Sequence, residues 1–437
     1  MRLLFGYRSV WLLAASLLIF TISLVSRLIL QETSLFAAAA SETSAHARMT
    51  TESRIADFQD RLRLNPEDTT TYAQLGLALL QRVRDTGDAS LYNQAETAFS
   101  EALKRDGRQF EALIGQGLLA LARHDFAAAL KWGEQAKAVN PYSVQVYGII
   151  GDAQIELGRY DAAAKTIQTM VDIRPQLSSY SRVSYLHELN GETDAAIAAM
   201  QQAVDSGLLG TEETSWAQVQ LGHLYFNGGD LEKAEMINTE ALNFRPNYIY
   251  AVGSLAQIRA AQGHYDEAIA QYKSLVEQMP LPGYVIALGE LYDLTGQPEA
   301  AQQQYALVRA IEQLNASAGM NSDLEMALFE ADHGTDPASA VEQAKVAYKK
   351  RPTIYGADVL AWALYQNRDY AEAQRYSQES LRLGTQDALL HFHAGMIAHA
   401  LGQVAEAQQH LQQALDINPY FSLRYAPQAK QLLAEMK

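Results

Sequence analysis

Cysteine is absent from all 437 residues, so the chain has no disulfide framework, no thiolate zinc site, no iron–sulfur cluster and no cysteine nucleophile. Its stability has to come from packing. Proline is scarce at 11, and no alternating Val/Ile/Thr run bounded by turns is present, so helices should dominate. Basic charge is in deficit: 34 Lys and Arg against 50 Asp and Glu give a net charge of -16, the reverse of the footprint that attracts phosphate backbones. Nucleic acid is not the expected partner.

The signatures of catalysis are missing as well. The sequence has no GxxxxGK[ST] phosphate loop, no GxSxG elbow and no GxGxxG opening a βαβ unit. His187-Glu188 begins an HE pair, but Gly191 stands where HExxH requires histidine. His391 and His393 point to opposite sides of a helix, and His399 returns near His391 only two turns later, so the three do not make one metal site. No cofactor, no metal, no small-molecule substrate and no enzymatic activity are expected.

What is present begins with one long apolar run. Arg2 and Arg8 precede Val10–Val25 (VWLLAASLLIFTISLV), and Leu28-Ile29-Leu30 follow Arg27. From Val10 to Leu30 the segment is long enough to cross a hydrocarbon core as a helix, with Arg27 able to snorkel at its far end. The positive-inside rule then places residues 1–9 in the cytoplasm and everything after the segment outside it. Cleavage after an A-x-A-like site at Ala37–Ala40 is the alternative. Residues 31–52 read as a polar tether rich in Ser, Thr and Ala.

Beyond residue 55 the chain repeats itself. A small residue in the middle of a first helix recurs at Gly76, Gly117, Gly151, Ser184, Gly222, Ala256, Gly289, Ala361 and Gly395, with Leu328 in the same column. Most steps are 33 or 34 residues, as from Gly117 to Gly151. A second helix carries alanine without exception at residues 95, 129, 163, 196, 234, 268, 301, 340, 373 and 407. Seven residues later the column reads Ala102, Ala136, Met170, Ala203, Ala241, Leu275, Val308, Ala347, Ser380 and Ala414. Two helices cross closely only where side chains are small, so the columns express a packing rule. Pro141, Pro175, Pro246, Pro280, Pro352 and Pro419 stop the second helices, and turns such as Gln262-Gly263-His264 separate the paired ones. Three connections run longer: Arg82–Tyr92, Ser206–Ser215 and Ile311–Asn321.

These columns resemble the tetratricopeptide repeat (TPR) family, over about residues 67–419. The resemblance implies an all-α solenoid, a right-handed superhelix of about ten helix pairs preceded here by one N-terminal transmembrane helix. First helices would line the concave face, and a peptide or partner protein would be the ligand. The stretches LLQRVRDTGDASLYNQAE and MPLPGYVIALGELYDLTG are similar, more narrowly, to bacterial exported or membrane-anchored TPR proteins of no assigned molecular role. Residues 53–66 read as a helix capping the first unit, and residues 420–437 as a closing cap.

In TPR geometry positions 2, 5, 9 and 12 of each unit face the groove. Those positions give Trp216, His223 and Phe226 in the fifth unit, Tyr250 in the sixth, Glu290 and Asp293 in the seventh, and Tyr355, Asp358, Trp362 and Tyr365 in the ninth. Glu325 and Asp332 of the eighth add further acid. Aromatic anchors with carboxylates between them suit a polypeptide of basic character. Position 9 holds no asparagine at Leu118, Asp152, Tyr185, His223, Gln257, Glu290, Phe329, Trp362 or Met396, so the carboxylate clamp of chaperone-tail adaptors is not built. The expectation is a membrane-anchored, extracytoplasmic, protein-binding scaffold. A cleaved periplasmic or secreted adaptor and a self-associating array are the alternatives.

Overall fold

The computed structural model describes residues 50–436. The membrane segment expected at residues 10–30, and the tether as far as residue 49, lie outside them. Among the described residues there are 22 helices and no strand, and no helix among them is long and apolar enough to cross a membrane. A lone helix, α1 (Thr51–Leu64), comes first. Ten pairs follow: α2 (Thr69–Thr86) with α3 (Leu91–Arg105), α4 (Phe110–Ala122) with α5 (Phe126–Val139), α6 (Val144–Glu156) with α7 (Tyr160–Ile173), α8 (Leu177–Leu189) with α9 (Thr193–Asp205), α10 (Glu212–Asn227) with α11 (Leu231–Phe244), α12 (Ile249–Ala261) with α13 (Tyr265–Gln278), α14 (Pro282–Leu294) with α15 (Pro298–Ser317), α16 (Asp323–His333) with α17 (Pro337–Lys350), α18 (Ile354–Gln366) with α19 (Tyr370–Ser380), and α20 (Ala388–Ala400) with α21 (Val404–Ile417). Helix α22 (Tyr425–Glu435) ends the described chain.

The alanine column explains the pairing. All ten alanines, from Ala95 to Ala407, are 0% exposed. Four residues after the column a larger side chain enters the space left by the small residue of the partner helix. A β-carbon built on Gly151 would meet Ile167, one on Gly222 would meet Asn238, one on Gly289 would meet Tyr305 and one on Gly395 would meet Leu411. In these four pairs the small residue forms a socket, and the residue one turn past the alanine fills it. Because the socket is lined by backbone, any side chain there has to displace its occupant.

The pairs are terminated by local chemistry that the sequence repeats. Asp68, Asp125, Thr211, Asp230, Asp336 and Thr353 each accept a backbone N–H of the first turn of the helix they precede, a contribution of about 1 kcal/mol apiece. At the far ends the residue after the second helix donates its amide to the carbonyl of the later small-residue column, as in Asn140 to Ala136, Arg245 to Ala241 and Asn418 to Ala414. The following proline cannot continue the helix.

The chain divides into two compact units. The first holds the described residues up to Ser178 together with Ala310–Ser322. Its core joins Phe99, Leu113, Leu118 and Ile149 to Ala318 and Met320 of the late segment. That segment is one of the three long connections. Most of it continues helix α15, and its end clasps the turn after α4: Arg123 Nε donates to the Ala318 carbonyl at 3.0 Å, and the Asn321 amide donates to the Arg123 carbonyl at 2.9 Å. The first long connection is likewise mostly helix, since α2 runs to Thr86. The second unit comprises Ser179–Arg309 and the residues from Asp323 onward. The segment after its last pair returns to the end of α10, where Asn418 Nδ2 donates to the Phe226 carbonyl at 3.0 Å.

Candidate functional site

The inner wall of the second unit holds a cavity of about 130 Å³. Helices α10, α12, α14 and α16 supply one side of it, and residues 420–424 between α21 and α22, with Tyr425 at the start of α22, supply the other. Its walls are largely apolar, with Phe226, Ile286, Leu328, Phe329 and Phe421 among them, and Gln257, Glu290, Glu325 and Asp332 place polar groups there. Glu290, Asp332, His333 and Leu423 also border a wider space of about 560 Å³, which Asp293, Tyr305 and Arg424 complete. The two form a narrow chamber with a vestibule.

The carboxylates are held by neighbours that carry no fixed charge. Asp332 Oδ1 accepts from Trp362 Nε1 at 2.7 Å and from the Tyr425 hydroxyl at 2.5 Å. Asp293 Oδ2 accepts from the Tyr305 hydroxyl at 2.7 Å, and Glu290 Oε1 lies 3.4 Å from His333 Nε2. Burial, then the bond to Asp293, pushes the Tyr305 phenol far above its ordinary range, and burial beside Asp332 does the same for Tyr425. Both hydroxyls are therefore fixed donors across the working pH range. Arg424 is exposed at the rim and donates to the main-chain carbonyl of Asp332 at 2.8 Å. Glu325 differs, being met by Arg351 at 2.8 Å.

Of the residues expected to face the groove, Phe226, Glu290, Asp293, Glu325 and Asp332 gather here. The others are placed elsewhere. Trp216 is 0% exposed, and Tyr250 and Tyr355 are buried. The Tyr250 ring packs edge-on against Tyr248. Asp358 is buried beneath the next repeat, its Oδ2 2.9 Å from His393 Nδ1. Trp362 is stacked between Tyr365 and His393 and turns its N–H to Asp332. Tyr365 is half-buried against that stack. His223 pairs through Nε2 with Ser254 Oγ at 2.8 Å, and burial pushes its imidazole down to about 4. Phe226 apart, the expected aromatic residues thus serve as mortar between repeats: Trp216, Tyr250, Tyr355 and Trp362 are buried and present little surface to a ligand.

Three contributors were not singled out in the sequence as site residues: Gln257, His333 and the segment Tyr420–Tyr425. Gln257 sits at groove position 9 of its repeat, and three aromatic residues crowd the segment after the last proline, more than a closing cap requires. Those were the available signals.

A stack of helix pairs keyed by buried small-residue columns, with an inner wall built from first helices, defines a tandem-repeat solenoid. Residues 80–144 and 359–420 match one family model described as "Tetratricopeptide repeat", and residues 144–177 match another of the same description. These stretches of the chain carry tetratricopeptide repeats. It is 20% identical over 233 residues to anaphase-promoting complex subunit 7 of Arabidopsis thaliana, covering 53% of this chain and 41% of that protein. It is 25% identical over 217 residues to tetratricopeptide repeat protein 21B of Mus musculus, covering 49% of this chain and 16% of that one. The chain thus spans less than half the length of these relatives. Among solved structures it is similar to a human IFIT1 dimer with PPP-AAAA, at 16% identity and a TM-score of 0.47, covering 72% of this chain and 73% of that one. It is also similar to the APC/C hetero-tetramer Cut9-Hcn1, at 16% identity and a TM-score of 0.40, covering 89% and 83%.

Proposed function

We propose that this protein is a membrane-anchored scaffold whose repeats lie outside the cytoplasm and hold a partner polypeptide of basic character on the inner wall of the second unit, without catalysing a reaction. The observation that carries the reading is the chamber itself. It is apolar, it sits on the face made by first helices, and it is rimmed by Glu290, Asp293 and Asp332. Apolar walls with a few convergent polar groups suit a side chain presented by a polypeptide. The positive residues Arg2 and Arg8 ahead of the Val10–Val25 run support the anchored, outward orientation.

Site-specific photocrosslinking in the cells that make the protein tests the scaffold. A photoreactive residue in place of Ile286, which lines the chamber, should capture discrete partner bands. The same residue in place of Val346, which is 51% exposed on α17, should not. Equal capture from both positions, or none from Ile286, refutes the reading.

A further inference from the structure

We propose that the chamber and its vestibule form a subsite for one arginine or lysine side chain of the bound segment, held among Glu290, Asp293 and Asp332, with the Gln257 amide donating to a carbonyl of that same segment. This rests on the reading of the chain as a polypeptide-binding scaffold and specifies how the partner is recognised.

Charge is the first argument. Among the described residues none of the three carboxylates meets a lysine or arginine side chain; their partners are the Tyr305 and Tyr425 hydroxyls, the Trp362 indole and the His333 ring. The contrast lies on the same wall, where Glu325 is neutralised by Arg351. Three carboxylates facing low-dielectric walls focus a negative potential into the cavity, and a cation answers it. Among the described residues the one arginine or lysine on the rim is Arg424, whose hydrogen bond goes to the main-chain carbonyl of Asp332 and not to a carboxylate of the three.

An unanswered donor is the second argument. Gln257 lines the chamber, is only 8% exposed, and its Nε2 has no hydrogen-bond partner. Buried amide donors are nearly always paired, so this one calls for an acceptor. An extended peptide carries a carbonyl at every residue. Cation and acceptor together describe a basic polypeptide better than a free amine, which supplies only the first.

The chain's own sequence supplies a probe. Residues 418–427 (NPYFSLRYAP) already lay an arginine beside apolar side chains along this wall. A fluorescent peptide of that sequence, and its twin with citrulline for arginine, would be titrated into the full chain in detergent micelles and read by anisotropy. The arginine peptide should bind at least tenfold tighter than the citrulline peptide. Replacing Glu290→Gln together with Asp293→Asn should shrink that preference to within about twofold, with helix content and thermal midpoint read on the same samples. Arg424→Ala, which removes the rim cation at an exposed position, should tighten the arginine peptide severalfold. Equal binding of the two peptides, a preference unmoved by the double variant, or no binding of either at millimolar concentration overturns the proposal. The crosslinking experiment uses uncharged Ile286, so the scaffold and the cation subsite can fail independently.

Discussion

Asn418 Nδ2 donates to the main-chain carbonyl of Phe226 at 3.0 Å across 192 residues of sequence. The same side chain accepts the Tyr420 amide at 2.8 Å through Oδ1 and is 2% exposed. One amide therefore both shapes the segment that walls the chamber and ties it to the end of α10. Asn418→Ala should lower stability by about 1–2 kcal/mol, the usual effect of losing buried hydrogen bonds to backbone. Hydrogen exchange should quicken around residues 226–230 and 418–425 while the core of the first unit keeps its protection. Uniform loss of protection throughout the chain would count against this assignment.

Gly289→Ala tests the socket rule. A β-carbon there would lie 2.6 Å from Tyr305 Cε1, and Tyr305 is 2% exposed with its hydroxyl bound to Asp293. The ring has to move, and overpacking of this kind costs about 1–3 kcal/mol. Denaturant midpoints should fall accordingly, and tyrosine fluorescence of the native state should change as the bond to Asp293 lengthens. An unchanged midpoint would mean the socket has slack.

The half-buried imidazole of His223 makes the protein's stability depend on pH. The folded state keeps the ring neutral down to about 4, whereas the unfolded chain takes up a proton near 6.5. A depressed histidine pKa therefore favours folding fully above 6.5; the advantage is lost as pH falls from 6.5 toward 4 and changes no further below that. The whole effect is at most about 3 kcal/mol. His223→Gln should flatten the dependence of the urea midpoint on pH across that window, and an identical profile in both proteins would remove His223 as its cause.

Arg368 occupies the turn between α18 and α19 with φ 66, where the equivalent turns use Gly158, Gly263, Gly296 and Gly402. An exposed arginine in the left-handed region is strained, and nothing in its side-chain contacts requires it. Arg368→Gly should raise stability by about 1 kcal/mol, read as a higher thermal midpoint. A lower midpoint would show that the arginine has a role the turn geometry does not reveal.

Much of the architecture could be read directly from the residues, because the helix pair is a local object. The ten buried alanines are fixed by how closely two neighbouring helices cross, and that leaves a mark every 33 or 34 residues. The site was less legible. Position numbers within a repeat say which face of a first helix a residue takes, but not what comes to lie over it. Asp358 looked like a groove acid and is covered by His393, 35 residues on. Trp362 looked like an anchor, and its indole is committed to Asp332, which Tyr425 also holds from 93 residues away. Those covering groups come from the next repeat and from the end of the chain, where no periodic signal points back to the residue they bury. Glu290 and Asp293 were legible because α14 leaves them on the open part of the wall.

The clasp of Arg123 by Ala318 and Asn321 has a consequence for biosynthesis. At ordinary elongation rates the 195 residues between Arg123 and Ala318 take roughly 10–40 s to emerge. For the later part of that interval, once α7 ends at Ile173, the first three helix pairs have been made, yet the apolar surface reserved for Ala318 and Met320 stays uncovered. A nascent chain arrested before that point would present a nearly finished fold with one open seam, which is the kind of surface that chaperones and proteases recognise.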